Sequence, residues 1–232
     1  MPPAPPDTFV KHIARRSLRD ASLDGPPVQH FKQDDRSEVW SVDAPSYGQA
    51  VIKRFAAPMP RQRLALAVGR HPGQLELKQH RKLHAAGIPV ATIFDAGITP
   101  GTHPGATPET HPGSKPGVWL ATAWIGDSLQ HHITAALDTP DPAEHLGPAL
   151  DAAATLTRAL LDAGFTFKDL KPSNLALDAQ GRAHLLDAGS ARATTNPVQV
   201  RRMLAVMQRV LRRDNCPELL ITRFFEAVGQ SP

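Results

Sequence analysis

The residues of this chain best suited to chemistry lie in Phe167-Lys168-Asp169-Leu170-Lys171-Pro172-Ser173-Asn174 and, further on, in Leu185-Leu186-Asp187-Ala188-Gly189. They offer a base (Asp169), a cation (Lys171), an amide (Asn174) and a second carboxylate (Asp187). Asn174 follows Asp169 by five positions, and Asp187 follows Asn174 by thirteen. Between them, Leu175 to Leu186 reads as an apolar strand, a turn containing Gly181 and a second apolar strand, the pattern of a hairpin. Such a hairpin brings Asn174 and Asp187 to one end. An amide oxygen and a carboxylate there suit Mg²⁺, which prefers hard oxygen donors and takes its remaining ligands from water and phosphate. The plainer alternative is a buried hairpin with solvated charges.

The elements around this stretch follow from period and punctuation. Val28–Lys32, Glu38–Val42 and Gln49–Phe55 read as three strands, joined by the turns Gln33–Ser37 and Asp43–Gly48. Lys53 stands on the third strand. Arg61 to Val68 is short and basic, and His71-Pro72-Gly73 reads as a break. Gln74 to Ala86 reads as a helix stopped by Gly87. Glu76, His80 and Leu83 share one stripe of it, and Glu76 is its sole acidic residue. Ala91–Ile98 and Val118–Trp124 predict a further hairpin. Its connector repeats Thr-His-Pro-Gly at 102–105 and 110–113, and there His103 and His111 lack partners at metal-ligand spacing. Helices are expected over Leu129–Leu137, Pro148–Ala163, Val198–Arg213 and Pro217–Val228. Leu150, Ala154, Leu156, Leu160 and Leu161 form the apolar face of the second.

The helix Val198–Arg213 has Val200, Met203, Leu204, Met207, Val210 and Leu211 on one stripe, which predicts packing. It also carries Arg201, Arg202, Arg209, Arg212 and Arg213 with no acidic residue among them. Like charges on one helix repel, so this face is expected to meet an anion or to remain a solvated basic surface. Residues 1–27 form a proline-punctuated basic extension, with Lys11, Arg15, Arg16 and Arg19 on an expected short helix from Thr8 to Leu18 and Asp7 or Thr8 as its cap.

Composition sets outer limits. A chain of 232 residues holds one or two domains with a sizeable core. The formal charge of +4 permits an anionic partner. A single Cys216 forms no internal disulfide, which gives no sign of an oxidising compartment. No apolar run is long enough for a transmembrane helix, and proline stands where a signal peptide has its apolar core. A cytoplasmic protein is expected, with no nucleic-acid partner.

Asp-Leu-Lys-Pro-Ser-Asn at 169–174 with Leu-Leu-Asp-x-Gly downstream resembles the catalytic and metal loops of the protein-kinase-like fold, whose pattern is H-R-D-L-K-P-x-N followed by D-F-G. Here Phe167 and Lys168 replace His and Arg, and Ala188 replaces Phe. Ala50-Val51-Ile52-Lys53 resembles the strand whose lysine holds nucleotide phosphates. Gly73-Gln74-Leu75-Glu76 and Leu83-His84-Ala85-Ala86-Gly87-Ile88-Pro89-Val90 are similar to the lipopolysaccharide kinases, which include the core heptose and Kdo kinases. The resemblance covers roughly residues 36–98 and 118–228.

It implies an α+β, two-lobed fold: a small antiparallel-sheet N-lobe at 28–125 and a reduced, mainly helical C-lobe at 126–232. It implies ATP and Mg²⁺ as cofactors and transfer of the γ-phosphoryl group to a sugar hydroxyl. In that scheme Asp169 orients or accepts the hydroxyl proton and Lys171 neutralises the transferred group. Asn174 and Asp187 hold the metal. Lys53, paired with Glu76, holds the α and β phosphates, and Ile125-Gly126-Asp127 falls where the adenine is held. The acceptor is an anionic, lipid-linked sugar, met in peripheral contact with the inner membrane. The first turn departs from the pattern: it has no glycine, Asp34 and Asp35 repel phosphate, and Arg36 and Ser37 only partly substitute. Only 43 residues follow Gly189, too few for the peptide-holding helices of protein kinases. Two alternatives remain: a kinase for another small-molecule or lipid acceptor, and a non-catalytic pseudokinase that binds a partner.

Overall fold

The computed structural model describes residues 27–34, 36–44, 48–57, 59–99, 117–194 and 196–229. The N-terminal extension, Asp35, and the connector with His103 and His111 lie outside the described residues. The chain divides into two units, one running up to Leu77 and resuming over Thr92–Trp124, the other comprising Lys78–Ala91 and the chain from Ile125 onward.

The first unit is built on one antiparallel sheet. β1 (Gln29–Gln33), β2 (Ser37–Ala44), β3 (Gly48–Ala56), β4 (Ile93–Thr99) and β5 (Gly117–Ala123) lie in the order β1-β2-β3-β5-β4. Strand side chains alternate between faces. One face buries Val42, Ala44, Ala50, Ile52, Trp119 and Ala121. The other buries Val118 and Leu120 with Leu77, Ile93 and Ala96. Complete burial of a side chain such as Ile52 contributes about 1.5–3 kcal/mol.

Two helices follow β3: α1 (Pro60–Ala67) and α2 (Pro72–Ala85). The sequence reading takes His71-Pro72-Gly73 as a break with helix from Gln74. Instead Pro72 opens α2, because proline at the first helical position gives up an N–H that has no partner there anyway. Gly73 lets this turn press on the sheet: a Cβ there would stand 2.7 Å from Val118 and 2.9 Å from Phe55.

At its other end α2 stops at Gly87, whose φ of 74° suits glycine. Ile88 N–H bonds the Leu83 carbonyl at 3.0 Å, and both side chains are buried, the closure of a Schellman turn. The chain then runs beside the second unit's small hairpin. Ala91 N–H donates to Leu185 O at 2.9 Å and Leu185 N–H to Pro89 O at 3.0 Å, which is why Lys78–Ala91 groups with that unit.

The second unit contains α3 (Leu129–Leu137), α4 (Pro142–Asp162), α5 (Pro197–Arg213) and α6 (Glu218–Val228). Between α4 and α5 come β6 (Phe165–Phe167), a 3₁₀ turn at Pro172–Asn174, β7 (Leu175–Leu177), β8 (Ala183–Leu185) and β9 (Ala191–Ala193). β6 pairs with β9, and β7 with β8. α4 packs on α3, α6, β6 and β8. Its expected face is present: Leu150, Ala154, Leu156 and Leu160 are buried, and Leu161 packs against them. The helix starts six residues earlier than expected, because Asp141 caps it by accepting the N–H groups of Ala143 and Glu144, each at 3.1 Å. Pro148 lies inside the helix on its exposed side.

α5 buries Met203, Leu204, Met207, Val210 and Leu211, with Val200 at the margin. Its arginines are less exposed to mutual repulsion than the sequence suggests. Arg212 pairs with Glu218 at the start of α6 and Arg213 with Asp214 just past its own helix, each at 2.8 Å. Asp214 and the first residue of α6 supply the acids that the helix lacks, leaving Arg201, Arg202 and Arg209 as the exposed basic face. Among the described residues, no helix is long and apolar enough to cross a membrane.

Candidate functional site

Lys53 lies in the middle of β3, in register with Val39 on β2 and Leu120 on β5. From there its Nζ donates to both carboxylate oxygens of Glu76 on α2, at 2.8 and 3.0 Å. The side chains are only 18% and 8% exposed. A carboxylate this buried is costly unless paired, so the ammonium group is what allows Glu76 to face the sheet. Nζ also stands 4.9 Å over the Phe55 ring, two positions along the same strand face. The pair expected from the sequence is therefore formed.

The β1–β2 turn is closed by its own acid. Asp34 Oδ1 accepts the N–H groups of Arg36 (2.8 Å) and Ser37 (2.7 Å), while Oδ2 pairs with Lys32 at 2.9 Å. The Lys32 contact and these two N–H groups hold its carboxyl far below the usual carboxylate range. Two backbone donors of the turn are thereby committed to a side chain.

Asp169, Lys171, Asn174 and Asp187 lie in the second unit, on two loops that share both flanking ladders. On one side, β6 and β9 pair Phe167 with Ala191. On the other, β7 and β8 pair Leu175 with Leu185, and Leu186 N–H adds a bond to Asn174 O at 3.0 Å. The hairpin thus brings Asn174 and Asp187 to one end. Its far turn is locked by Asp178, which accepts N–H groups of Gln180 and Arg182 and side-chain bonds from Arg182 and His184, all within 3.0 Å. Burial opposes the charge on Asp178, but the bonds from His184 and Arg182 outweigh it and hold the carboxyl far below its usual range.

The apolar residues between the polar ones are anchors. Phe167, Leu170, Pro172 and Ala188 are buried, whereas Asp169 is exposed. Phe167 N–H points at Met203 Sδ, 3.1 Å away on α5. Asn174 Nδ2 donates to the Asp169 carbonyl at 2.8 Å, which leaves Oδ1 as the amide's acceptor atom. Asp187 Oδ1 accepts the Gly189 N–H at 2.9 Å, which fixes its carboxylate. Lys171 accepts the Asn174 N–H at 2.9 Å through its carbonyl, closing the 3₁₀ turn. An amide oxygen and a carboxylate fit a hard divalent cation such as Mg²⁺.

Gly126 joins the unit's edge to this hairpin. Its φ is 151°, and a Cβ would lie 2.1 Å from Leu177 O, so only glycine fits. Asp127 O next door accepts the Leu177 N–H at 3.1 Å.

Two residues of the site escape sequence reasoning. Ser190 Oγ accepts the Asp169 N–H at 3.4 Å, tying the two loops together. Arg192 Nη1 donates to Gly189 O at 3.0 Å, placing a cation beside the Asp187 loop. The signal for both was their closeness to Asp187 in sequence. Comparison of the chain with family models and with curated proteins finds no match.

Proposed function

We propose that this chain is a phosphotransferase of the two-lobed, protein-kinase-like type, moving the γ-phosphoryl group of ATP to a sugar hydroxyl, with lipopolysaccharide core heptose or Kdo as the acceptor. The observation that carries this reading is the Asn174 clasp. With Nδ2 spent on the Asp169 carbonyl, Asn174 keeps its amide oxygen for a ligand at the same hairpin end as Asp187 and ties in the loop bearing the base. The Lys53–Glu76 pair adds a held cation of the kind that binds phosphate.

Each residue has a task in this reading. Asp169 orients the acceptor hydroxyl and takes its proton as the hydroxyl oxygen bonds the γ-phosphorus and the bond to the leaving ADP breaks. Lys171 neutralises charge on the group in transfer. Lys53 holds the α and β phosphates, and Glu76 holds Lys53. Asn174 and Asp187 hold Mg²⁺, which when bound offsets phosphate charge. Arg201, Arg202 and Arg209 would offer guanidinium groups to an anionic, lipid-linked acceptor, and in this reading the protein works in the cytoplasm in peripheral contact with the inner membrane.

One observation favours a second reading, a non-catalytic nucleotide-binding or partner-binding module. In the β1–β2 turn, Asp34 occupies the Arg36 and Ser37 N–H groups that a phosphate would otherwise use. ATP consumption measured with and without purified lipopolysaccharide core separates the readings. The transferase reading expects acceptor-dependent turnover that weakens as salt screens the exposed arginines. A panel of other sugars and lipids that turn over while the core does not would reassign the acceptor, and no turnover with any of them favours the binding module.

A further inference from the structure

The first unit contains a cleft of about 290 Å³, at the end of the sheet where β2 begins and β3 ends. Arg36, Ser37, Phe55, Arg61, Gln62 and His71 form its walls, and no acidic residue lines it among those described. Asp34, two residues before Arg36, is closed onto Lys32 and the turn backbone.

Three features give this cleft the character of an anion site. Arg36 and Arg61 enter it from different elements, the β1–β2 turn and α1, and have no acidic partner among the described residues. Both helices also begin there: Arg61 and Gln62 lie in the first turn of α1, and His71 immediately precedes Pro72 of α2. Neither first turn holds an acidic residue, so the positive ends of both helix dipoles are uncompensated. Gln62 gives its Oε1 to the Met59 N–H at 2.9 Å, which leaves its amide N–H groups as donors.

The third feature is His71, which is 1% exposed. The Ala56 carbonyl engages one ring nitrogen, and Nδ1 is buried with no partner. A buried polar atom left unpaired costs on the order of 1–3 kcal/mol. A ligand hydroxyl would satisfy it.

We infer that this cleft binds a phosphate-bearing ligand, with its phosphate between Arg36 and Arg61 and a ligand hydroxyl donated to His71 Nδ1. The inference needs no phosphoryl transfer at Asp169 and stands or falls apart from it. Phosphate could come from a nucleotide, since Phe55 lies under Lys53 and also lines the cleft, or from a separate sugar phosphate.

Calorimetric titration of the full chain at low salt with inorganic phosphate, glucose 6-phosphate, glucose and ATP tests it. Phosphate and glucose 6-phosphate should bind saturably, the latter more tightly because it adds the hydroxyl, and glucose alone should not. Arg36→Gln and Arg61→Gln should each weaken phosphate binding about tenfold, the scale of one charge-assisted contact. Arg63→Gln, an exposed change on the same helix outside the cleft, should weaken it less than about twofold. Displacement of glucose 6-phosphate by ATP would assign the phosphate to the nucleotide, and simultaneous binding would assign it to a second ligand; both support the site. Absence of saturable phosphate binding, or equal losses in all three arginine variants, would overturn it.

Discussion

Lys53 and the group Asp169, Asn174 and Asp187 are positioned by different means. Lys53 depends on a charge: its ammonium reaches across from β3 to a nearly buried Glu76, and each ion answers for the other. The second group depends on backbone. Two short ladders and the Leu186–Asn174 bond hold the loops through the backbone, and the Ser190 hydroxyl and Asn174 amide then tie in Asp169. The two turns show the reverse economy, since Asp34 and Asp178 close theirs in the same way, each accepting two turn N–H groups and a basic side chain. Loss of Glu76 should therefore loosen Lys53, whereas the loops around Asp169 should keep their ladders when a carboxylate is lost.

The largest expected effect uses that tolerance. Asp187→Ala should abolish Mg²⁺-dependent ATP binding in calorimetry, because one of two protein oxygen donors is removed. The Gly189 contact goes with the carboxylate, a loss of about 1 kcal/mol for that bond in urea unfolding. Tight Mg-ATP binding by this variant would remove Asp187 from the metal site.

Next is Glu76→Gln, which removes the carboxylate that Lys53 Nζ meets at 2.8 Å. Unfolding stability should fall by about 2–3 kcal/mol, the range for a lost partner in a partly buried ion pair. Lys53→Met combined with Glu76→Leu should recover part of that loss, since the two partly buried charges are removed together. A double variant less stable than Glu76→Gln alone would mean that packing, not charge, holds α2 on the sheet.

Smaller again is the response to acid, which sharpens the comparison because among the described residues each unit has one imidazole whose pKa burial lowers. Burial lowers the pKa of His71 and of His80, outweighing the Ala56 and Ala91 carbonyls that favour protonation. The unfolded chain then takes up protons at about 6.5, before the folded chain does. Stability from both groups is fully present above that pH and is lost as pH falls through it towards the lower folded values. Urea midpoints at pH 7.5 and 5.5 should show the drop, and His80→Gln should reduce it. An unchanged drop in that variant would exclude His80.

Much of this was legible in the sequence because it depends on local rules. The hairpin from Leu175 to Leu186, the stop at Gly87 and the stripe of α5 each follow from period or from one special residue. The Lys53–Glu76 pair was also readable, since α2 offers a single acid. What was not legible lies at contacts between elements. Pro148 looked like a start because nothing local reveals that Asp141 caps an earlier turn. The five arginines of α5 looked unopposed because Glu218 belongs to the next helix. Asp34 looked repulsive to phosphate, yet its carboxylate is turned back on its own loop, a matter of conformation and not of composition.

The most direct measurement of the central claim is acceptor-dependent ATP turnover by Asp169→Asn. Asp169 is exposed and its carbonyl, not its carboxylate, holds Asn174, so the variant should keep the fold and bind nucleotide as wild type does. The account predicts a kcat lower by a factor on the order of 10² or more, as loss of a positioned base produces. Turnover at the wild-type rate, with folding and nucleotide binding intact, would contradict it.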